Sequence, residues 1–277
     1  MAENSTIEWT DHTFNPWEGC QKVGPGCDHC YAETRNARFG GGVAGNWGPG
    51  APRRRTSVTN WRKPLAWQRD AARFLLDHGR NQRVFCASLA DVFDNAVDPA
   101  WRADLFELIR ATPDLDWLLL TKRIGNAVAM SDAAGGLPMN VWLGATVVNQ
   151  AEADRDIPKL DAAGDLITTR FLSIEPLLGP ITIPWDWLYG AGSRNGIDWV
   201  IVGGESGPGA RPMHPDWARG LRDQCASAGV PMLFKQWGEN AWAERVEGDP
   251  STLTAYRAGK KHAGRLLDGR QHDGFPL

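Results

Sequence analysis

Three cysteines fall within eleven residues, Cys20, Cys27 and Cys30, in the run Gly-Cys-Gln-Lys-Val-Gly-Pro-Gly-Cys-Asp-His-Cys-Tyr. Gly24, Pro25 and Gly26 turn the chain between the first cysteine and the other two, so the thiolates can converge on one soft metal centre. Sulfur ligands select zinc, copper(I) or iron–sulfur clusters over hard cations. The number of ligands divides these options. A structural zinc site closes with four protein ligands, whereas a cluster held by three leaves one iron open to another molecule. His12 or His29 could complete a Cys₃His zinc site, but His29 stands between two of the cysteines, where both neighbours would have to bind the same ion.

A second set of polar residues closes a series of apolar runs. Asp91 follows the first run, Thr121-Lys122-Arg123 the second, Thr146 the third, Ser173 and Glu175 the fourth, Gly203-Gly204-Glu205-Ser206 the fifth and Lys235-Gln236 the sixth. The runs predict strands at Arg83–Leu89, Asp116–Thr121, Asn140–Val147, Thr169–Ile174, Asp198–Gly203 and Pro231–Gln236, with a further strand near Ile7. Amphipathic stretches alternate with them, as in parallel α/β architectures, whose strands bring their C-terminal ends to one face. Trp101, Leu105, Leu108 and Ile109 share one helical face, and Trp217, Leu221 and Cys225 another, so Cys225 is expected in the core together with Cys86.

The elements that must position these groups add up to an α/β fold, a partial parallel (β/α) barrel of six to seven strands with a glycine-rich insertion and a C-terminal hairpin. One domain over residues 1–277 is expected: a cysteine-loop region at 1–39, the insertion at 40–62, barrel strands and helices at 83–238 and a C-terminal extension at 239–277. The insertion, Gly40 to Gly50, lacks the Gly-Lys-Ser/Thr ending of a phosphate-binding loop and reads as a mobile lid. Arg53-Arg54-Arg55 beyond it reads as a solvated loop more readily than as a phosphate site. Asp268-Gly269 supplies the positive φ angles of a tight turn within Gly264 to Arg270.

Composition narrows the setting. With 42% hydrophobic residues the chain can bury a substantial core, and 30 Lys and Arg against 33 Asp and Glu give a net charge of −3, no global footprint for nucleic acid. An odd cysteine count, five, with no secretory leader recognisable ahead of it, predicts free thiols in a reducing cytoplasm. No apolar run is long enough to span a bilayer. Among the 14 tryptophans, Trp101, Trp117, Trp142, Trp199 and Trp217 are expected in the core, and Trp9, Trp17, Trp47, Trp61 and Trp237 near the mouth of the barrel.

Motifs spread over nearly the whole chain carry a resemblance. Ile7-Glu8-Trp9-Thr10-Asp11, Phe14-Asn15-Pro16, Gly19-Cys20 and Gly26-Cys27-Asp28-His29-Cys30-Tyr31-Ala32-Glu33 resemble the three-cysteine-motif proteins of phages and bacteria. So do Leu120-Thr121-Lys122-Arg123, Val141-Trp142-Leu143-Gly144, Ser173-Ile174-Glu175-Pro176-Leu177, Gly203-Gly204-Glu205-Ser206-Gly207, Phe234-Lys235-Gln236-Trp237-Gly238 and Gly264-Arg265-Leu266-Leu267-Asp268-Gly269. That family in turn is similar to a divergent branch of the radical S-adenosylmethionine superfamily. The usual superfamily motif puts three residues between its first two cysteines; here six separate Cys20 from Cys27, while the two-residue gap before Cys30 and the aromatic Tyr31 match.

The resemblance implies that Cys20, Cys27 and Cys30 hold a 4Fe-4S cluster whose open iron binds S-adenosylmethionine, which is cleaved to a radical that abstracts hydrogen from substrate. Tyr31 would pack near the cluster or adenine, and Thr121, Lys122, Glu175, Glu205, Lys235 and Gln236 would line the pocket. The cofactor's amino group is expected to meet a carboxylate, for which the superfamily uses Gly-Gly-Glu after the second strand. At that place the chain has Asp91, and Gly203-Gly204-Glu205 comes in a later strand, so Asp91 and Glu205 are both candidates. A ferredoxin or flavodoxin would supply the electron. The substrate is unspecified, and nucleic acid or a nucleotide is admissible. The competing readings are a structural zinc protein and a nucleic-acid-binding protein that stacks bases on tryptophan beside Arg53-Arg54-Arg55 and Arg62-Lys63.

Overall fold

The computed structural model describes residues 5, 7–164, 167–188, 196–244 and 253–276. The fold is α/β, and its seven-stranded parallel sheet is a partial barrel. Contacts divide the chain into two compact units, one of Met1–Val23, Ala32–Ala145 and Lys159–Arg170, the other of Gly24–Tyr31, Thr146–Pro158 and Phe171–Leu277.

In the first unit β1 (His12–Phe14) and β2 (Trp17–Glu18) precede α1 (Tyr31–Phe39), β3 (Arg54–Arg55), α2 (Val58–Trp61), α3 (Lys63–His78), β4 (Gln82–Cys86), α4 (Pro99–Arg110), β5 (Leu115–Thr121), α5 (Ile124–Ala133) and β6 (Val141–Thr146). β1 pairs with β4, β4 with β5 and β5 with β6, all parallel, so His12 faces Val84, Val84 faces Trp117 and Trp117 faces Val141. Every residue of β4 is buried, Gln82 and Arg83 included, as in a parallel strand covered on both faces. Phe14 meets Trp117 edge-on, with ring centroids 5.5 Å apart. Asp98 accepts the Ala100 N–H at 2.9 Å and Pro99 opens α4, so this helix starts where its sequence directs.

The second unit takes most of α6 (Gln150–Asp161), as far as Pro158, and of β7 (Thr169–Ile174), from Phe171, and then holds α7 (Trp185–Leu188), β8 (Trp199–Gly203), α8 (Pro215–Ala228), β9 (Met232–Gln236), the hairpin β10 (Asn240–Glu244) and β11 (Leu253–Arg257), and α9 (Lys260–Ala263). β7, β8 and β9 are parallel neighbours, with Phe171 opposite Trp199 and Val200 opposite Met232. Trp199, fully buried, donates from Nε1 to the Gly274 carbonyl at 2.7 Å and packs against Phe275, which ties the end of the chain to the sheet. α8 begins after His214 with Pro215 and stops at Gly229, whose φ of 71° takes the left-handed conformation of a helix end. In the order β1-β4-β5-β6-β7-β8-β9 the seven strands make up the one sheet.

The expected strands form within three residues of their anticipated limits, and Thr169–Ile174 forms over its whole span. β4 ends at Cys86 rather than Leu89, because the Leu89 N–H donates to Asn15 Oδ1 at 2.7 Å and its carbonyl accepts from Gly19. The strand expected near Ile7 lies instead at His12–Phe14, while Ile7 sits in a bend that donates to Ser5 Oγ. Leu267 and Arg270 bridge across Asp268-Gly269, both with positive φ, as the tight turn requires. The larger hairpin β10–β11 was not expected; residues 245–252 between its strands, within the C-terminal extension, lie outside the described residues.

Burial corrects several expectations. Trp9 and Trp17 are core residues, not part of a mouth, while Trp117 and Trp199 are core as expected and Trp101, Trp142 and Trp217 are half-buried. Cys86 and Cys225 are buried as expected. Arg53 is not solvated: its Nε donates to Asp94 Oδ2 at 2.7 Å, with both side chains 1% exposed. Arg54 and Arg55 are exposed, on the strand that pairs with Trp17-Glu18.

Candidate metal and cofactor site

The first unit presents Cys20 in a fixed setting. Gly19 has a φ of +113°, and a Cβ there would lie 2.5 Å from the Asn46 carbonyl oxygen, so glycine is required for the close approach. Cys20 bridges to Trp47, and the Gly48 N–H donates to the Cys20 carbonyl at 2.9 Å. The tip of the glycine-rich insertion is thus strapped along the first cysteine.

Arg123, just past β5, donates from Nη1 to Cys20 Sγ at 3.4 Å and from Nη2 to the Gln21 carbonyl at 3.0 Å. Asp91 Oδ2 lies 3.4 Å from the same Nη1, and Asp94 Oδ1 is 3.8 Å from Nη2. Asp91 also accepts from Thr121 Oγ1 (2.7 Å), the Phe93 N–H (2.9 Å) and the Lys122 N–H (3.1 Å). Two of the expected pocket residues, Asp91 and Thr121, are therefore joined directly to each other, and Lys122 enters through its backbone. Burial pushes the Cys20 thiol up to about 11, Asp91 adds to the effect and Arg123 opposes it. The neutral thiol is the resting form, so a metal that binds there must displace its proton.

The second unit holds the other two cysteines. Cys27 is buried in a short 3₁₀ turn, Pro25–Cys27, Cys30 is half-buried, and Tyr31 is 59% exposed. Between them His29 places Nδ1 3.0 Å from Glu205 Oε2. Arg211 donates to the same carboxylate from Nε (2.9 Å), Nη2 (2.6 Å) and its backbone N–H (2.8 Å). Its guanidinium also reaches the Pro25 carbonyl at 2.8 Å and Asp28 Oδ2 at 3.1 Å, so one arginine clamps the cysteine turn to the end of β8. Burial raises the Glu205 carboxyl, but the bonds from Arg211 and His29 outweigh it and hold the group below the usual carboxylate range.

At the neighbouring strand ends Lys235 Nζ meets Glu175 Oε2 at 2.7 Å, and Ser173 Oγ donates to Glu175 Oε1 at 3.3 Å. Glu175 lies over Gly203, where a Cβ would come 2.9 Å from its Oε2. Gly204 is pressed against the Trp237 carbonyl, with no room for a side chain, and it exchanges bonds with Gln236: Gly204 N–H to the Gln236 carbonyl and Gln236 Nε2 to the Gly204 carbonyl, each 2.9 Å. Gln236 Oε1 and Thr146 Oγ1 are buried without a hydrogen-bond partner among the described residues. Buried oxygens of this kind carry an energetic penalty unless a ligand or water satisfies them.

All five cysteines are free thiols, and the donor set of the loop, three thiols and no disulfide, fits a soft metal or cluster by its chemistry. Among the described residues no three His, Cys, Asp or Glu side chains stand as a ready-made ligand group. The orphaned oxygens of Thr146 and Gln236 are where a polar cofactor or substrate would find partners. Both histidines considered for a fourth zinc ligand are engaged elsewhere: His29 by Glu205, and His12 by Gln82 Oε1 at 2.8 Å with its ring stacked on Trp67 at 4.1 Å.

Sequence reading placed Arg123 in the polar cluster but gave it no role, and it passed over Arg211 and Asp94. Arg211 stands six residues after Glu205 in a Gly/Pro-rich loop, and nothing local distinguishes it from a solvated arginine.

A family model described as "Protein of unknown function (DUF5131)" matches residues 4–276. No curated protein matches the chain. Among solved structures, a cysteine-to-serine mutant of spore photoproduct lyase is similar with a TM-score of 0.46 and 12% identity, over 93% of this chain and 72% of that one. A doubly substituted mutant of the same lyase, with bound AdoMet and dinucleoside spore photoproduct, gives a TM-score of 0.42 and 10% identity over 90% and 69%. No helix among the described residues is long and apolar enough to cross a membrane.

Proposed function

We propose for this chain, which belongs to the DUF5131 family, a radical S-adenosylmethionine-type activity built on Cys20, Cys27 and Cys30. One observation carries the reading. Cys20, Cys27 and Cys30 are free thiols, and His12, one of the two histidines that could close a zinc site, is taken up by Gln82 and Trp67. Three ligands suit a centre that keeps one position for a cofactor.

A bound 4Fe-4S cluster would supply an electron to S-adenosylmethionine and so open radical chemistry on a substrate. The chain's own residues bind and orient. Lys235 suits the methionine carboxylate and Glu175 the ribose hydroxyls, each exchanging its present partner for the ligand. Thr146 Oγ1 and Gln236 Oε1 accept hydrogen bonds that the protein leaves unmade. Asp91 and Glu205 are the carboxylates for the cofactor's amino group; each already holds an arginine, so a ligand ammonium would have to share it. Tyr31, half-exposed beside Cys30, stacks on the adenine or covers the metal. A ferredoxin or flavodoxin supplies the electron, and a nucleic acid or nucleotide is the proposed substrate class.

The test is anaerobic reconstitution with iron and sulfide, followed by reductant and S-adenosylmethionine. About four irons per chain and release of 5′-deoxyadenosine are expected. A protein that takes up zinc alone, or a full cluster that yields no 5′-deoxyadenosine, would remove the radical activity.

A further inference from the structure

Arg123, beyond the loop, donates a hydrogen bond to the sulfur of its first cysteine. It reaches Cys20 Sγ at 3.4 Å, is itself 9% exposed, and is held from the other side by Asp91 and Asp94. Around this contact are buried three guanidinium groups, Arg53, Arg102 and Arg123, and two carboxylates, Asp91 and Asp94. Arg53 binds Asp94, and Arg102 donates to the Val92 and Asp94 carbonyls. The cluster therefore carries one positive charge in excess, in surroundings where an uncompensated charge is costly. A thiolate at Cys20 would balance it.

From this juxtaposition we infer that Arg123 is a positioning residue for Cys20: it holds the Cys20 sulfur by a charged N–H···S bond and draws electron density from it, which sets the redox poise of the metal centre. The inference rests on the proposed use of the three cysteines as ligands and adds a role that those ligands do not themselves imply. Hydrogen bonds to ligating sulfur are among the factors that fix cluster potentials, and a donor that withdraws charge favours the reduced, more negative cluster. The fork geometry matters as much as the charge. One guanidinium face serves Cys20 and Asp91 through Nη1 while Nη2 serves the Gln21 carbonyl, which a lysine ammonium cannot reproduce from a single point.

The experiment compares wild type, Arg123→Lys and Arg123→Met by two readouts, the midpoint potential of the reconstituted cluster and the sulfur-to-metal charge-transfer band of the Co(II)-substituted protein. Arg123→Met is expected to keep the iron and cobalt stoichiometry, to shift the reduction equilibrium against reduction by about tenfold, some 59 mV for a one-electron couple, and to move the cobalt band to lower energy. Arg123→Lys should fall between. If Arg123→Met does not fold, the lysine variant carries the comparison against wild type. Unchanged potential and unchanged band in a folded variant would overturn the inference. A wild-type protein that binds Co(II) through thiolates but assembles no cluster would remove the radical reading and leave Arg123 to be judged on the cobalt band alone; binding of neither metal would overturn both.

Discussion

His29 Nδ1 lies 3.0 Å from Glu205 Oε2, so the histidine between two cysteines of the loop is bound to a carboxylate at the end of β8. Gly209 makes this possible, since a Cβ there would come 3.0 Å from His29 Nε2. On the proposed three-thiol site the ring fastens the loop and ligates no metal. His29→Ala should therefore leave the metal content per chain unchanged while costing about 1 kcal/mol of stability for one charge-assisted bond at a partly exposed site. Metal analysis of the purified variant checks it, and loss of one full equivalent of bound metal would restore the zinc reading.

The sheet was readable because buried parallel strands are largely apolar runs; β8, WVIVG, is the clearest of them. β1 was not, because His12-Thr13-Phe14 looks polar. Its burial depends on partners 55 to 73 residues away: Trp67 under the His12 ring, Gln82 on its Nε2, and the Arg83 carbonyl on Thr10 Oγ1. Arg53 escaped for the same reason. In the sequence it is one of three consecutive arginines, and only the fold brings Asp94 to it and leaves Arg54 and Arg55 outside. Of the candidate site, the cysteine trio and the strand-end residues stand out in the sequence by composition and spacing. The arginines that fix them, Arg123 and Arg211, were not, since a clamp is defined by where its far end lands.

Acid should loosen the Glu205 clamp in a defined window. Burial alone would raise this carboxyl, yet the Arg211 and His29 bonds prevail and its folded pKa is lowered. The unfolded chain then binds more protons than the folded one at acid pH, so the contribution to stability is complete above the unfolded value of about 4.3 and is lost as pH falls through the folded value. Glu205→Gln should be less stable than wild type at pH 7, by about 2 kcal/mol because Arg211 keeps access to solvent, and the two proteins should converge as pH falls through the lowered folded value. Thermal melts from pH 3 to 8 check this, and a constant gap over the whole range would contradict it.

The Arg53–Asp94 pair is the most buried ion pair described, 1% exposed on each side. Removing one partner strands the other charge, although Arg53 Nη1 retains the Asn46 and Ala51 carbonyls. Asp94→Asn should cost about 3 to 5 kcal/mol, with a melting temperature lower by roughly 10 °C. Arg53→Met combined with Asp94→Leu should cost less than the sum of the single changes, because neither charge is then left alone. Additive losses in the double-mutant cycle would mean that the pair acts only through packing.

Gly203 and Gly204 separate positioning from folding. A Cβ on Gly203 would meet the Glu175 side chain, 2.9 Å from Oε2 and 3.2 Å from Cγ. That chain can swing aside at the expense of its 2.7 Å contact with Lys235, so Gly203→Ala should cost under about 1.5 kcal/mol. A Cβ on Gly204 meets the backbone carbonyl of Trp237, a residue just past β9 whose N–H donates to the Gly264 carbonyl, so Gly204→Ala should destabilise by more than about 3 kcal/mol. Equilibrium dialysis with S-adenosylmethionine then tests the strand-end pocket. Gly203→Ala, still folded by calorimetry, should bind at least tenfold more weakly if the Glu175–Lys235 pair orients the ligand, and an unchanged affinity would move the cofactor away from these strand ends.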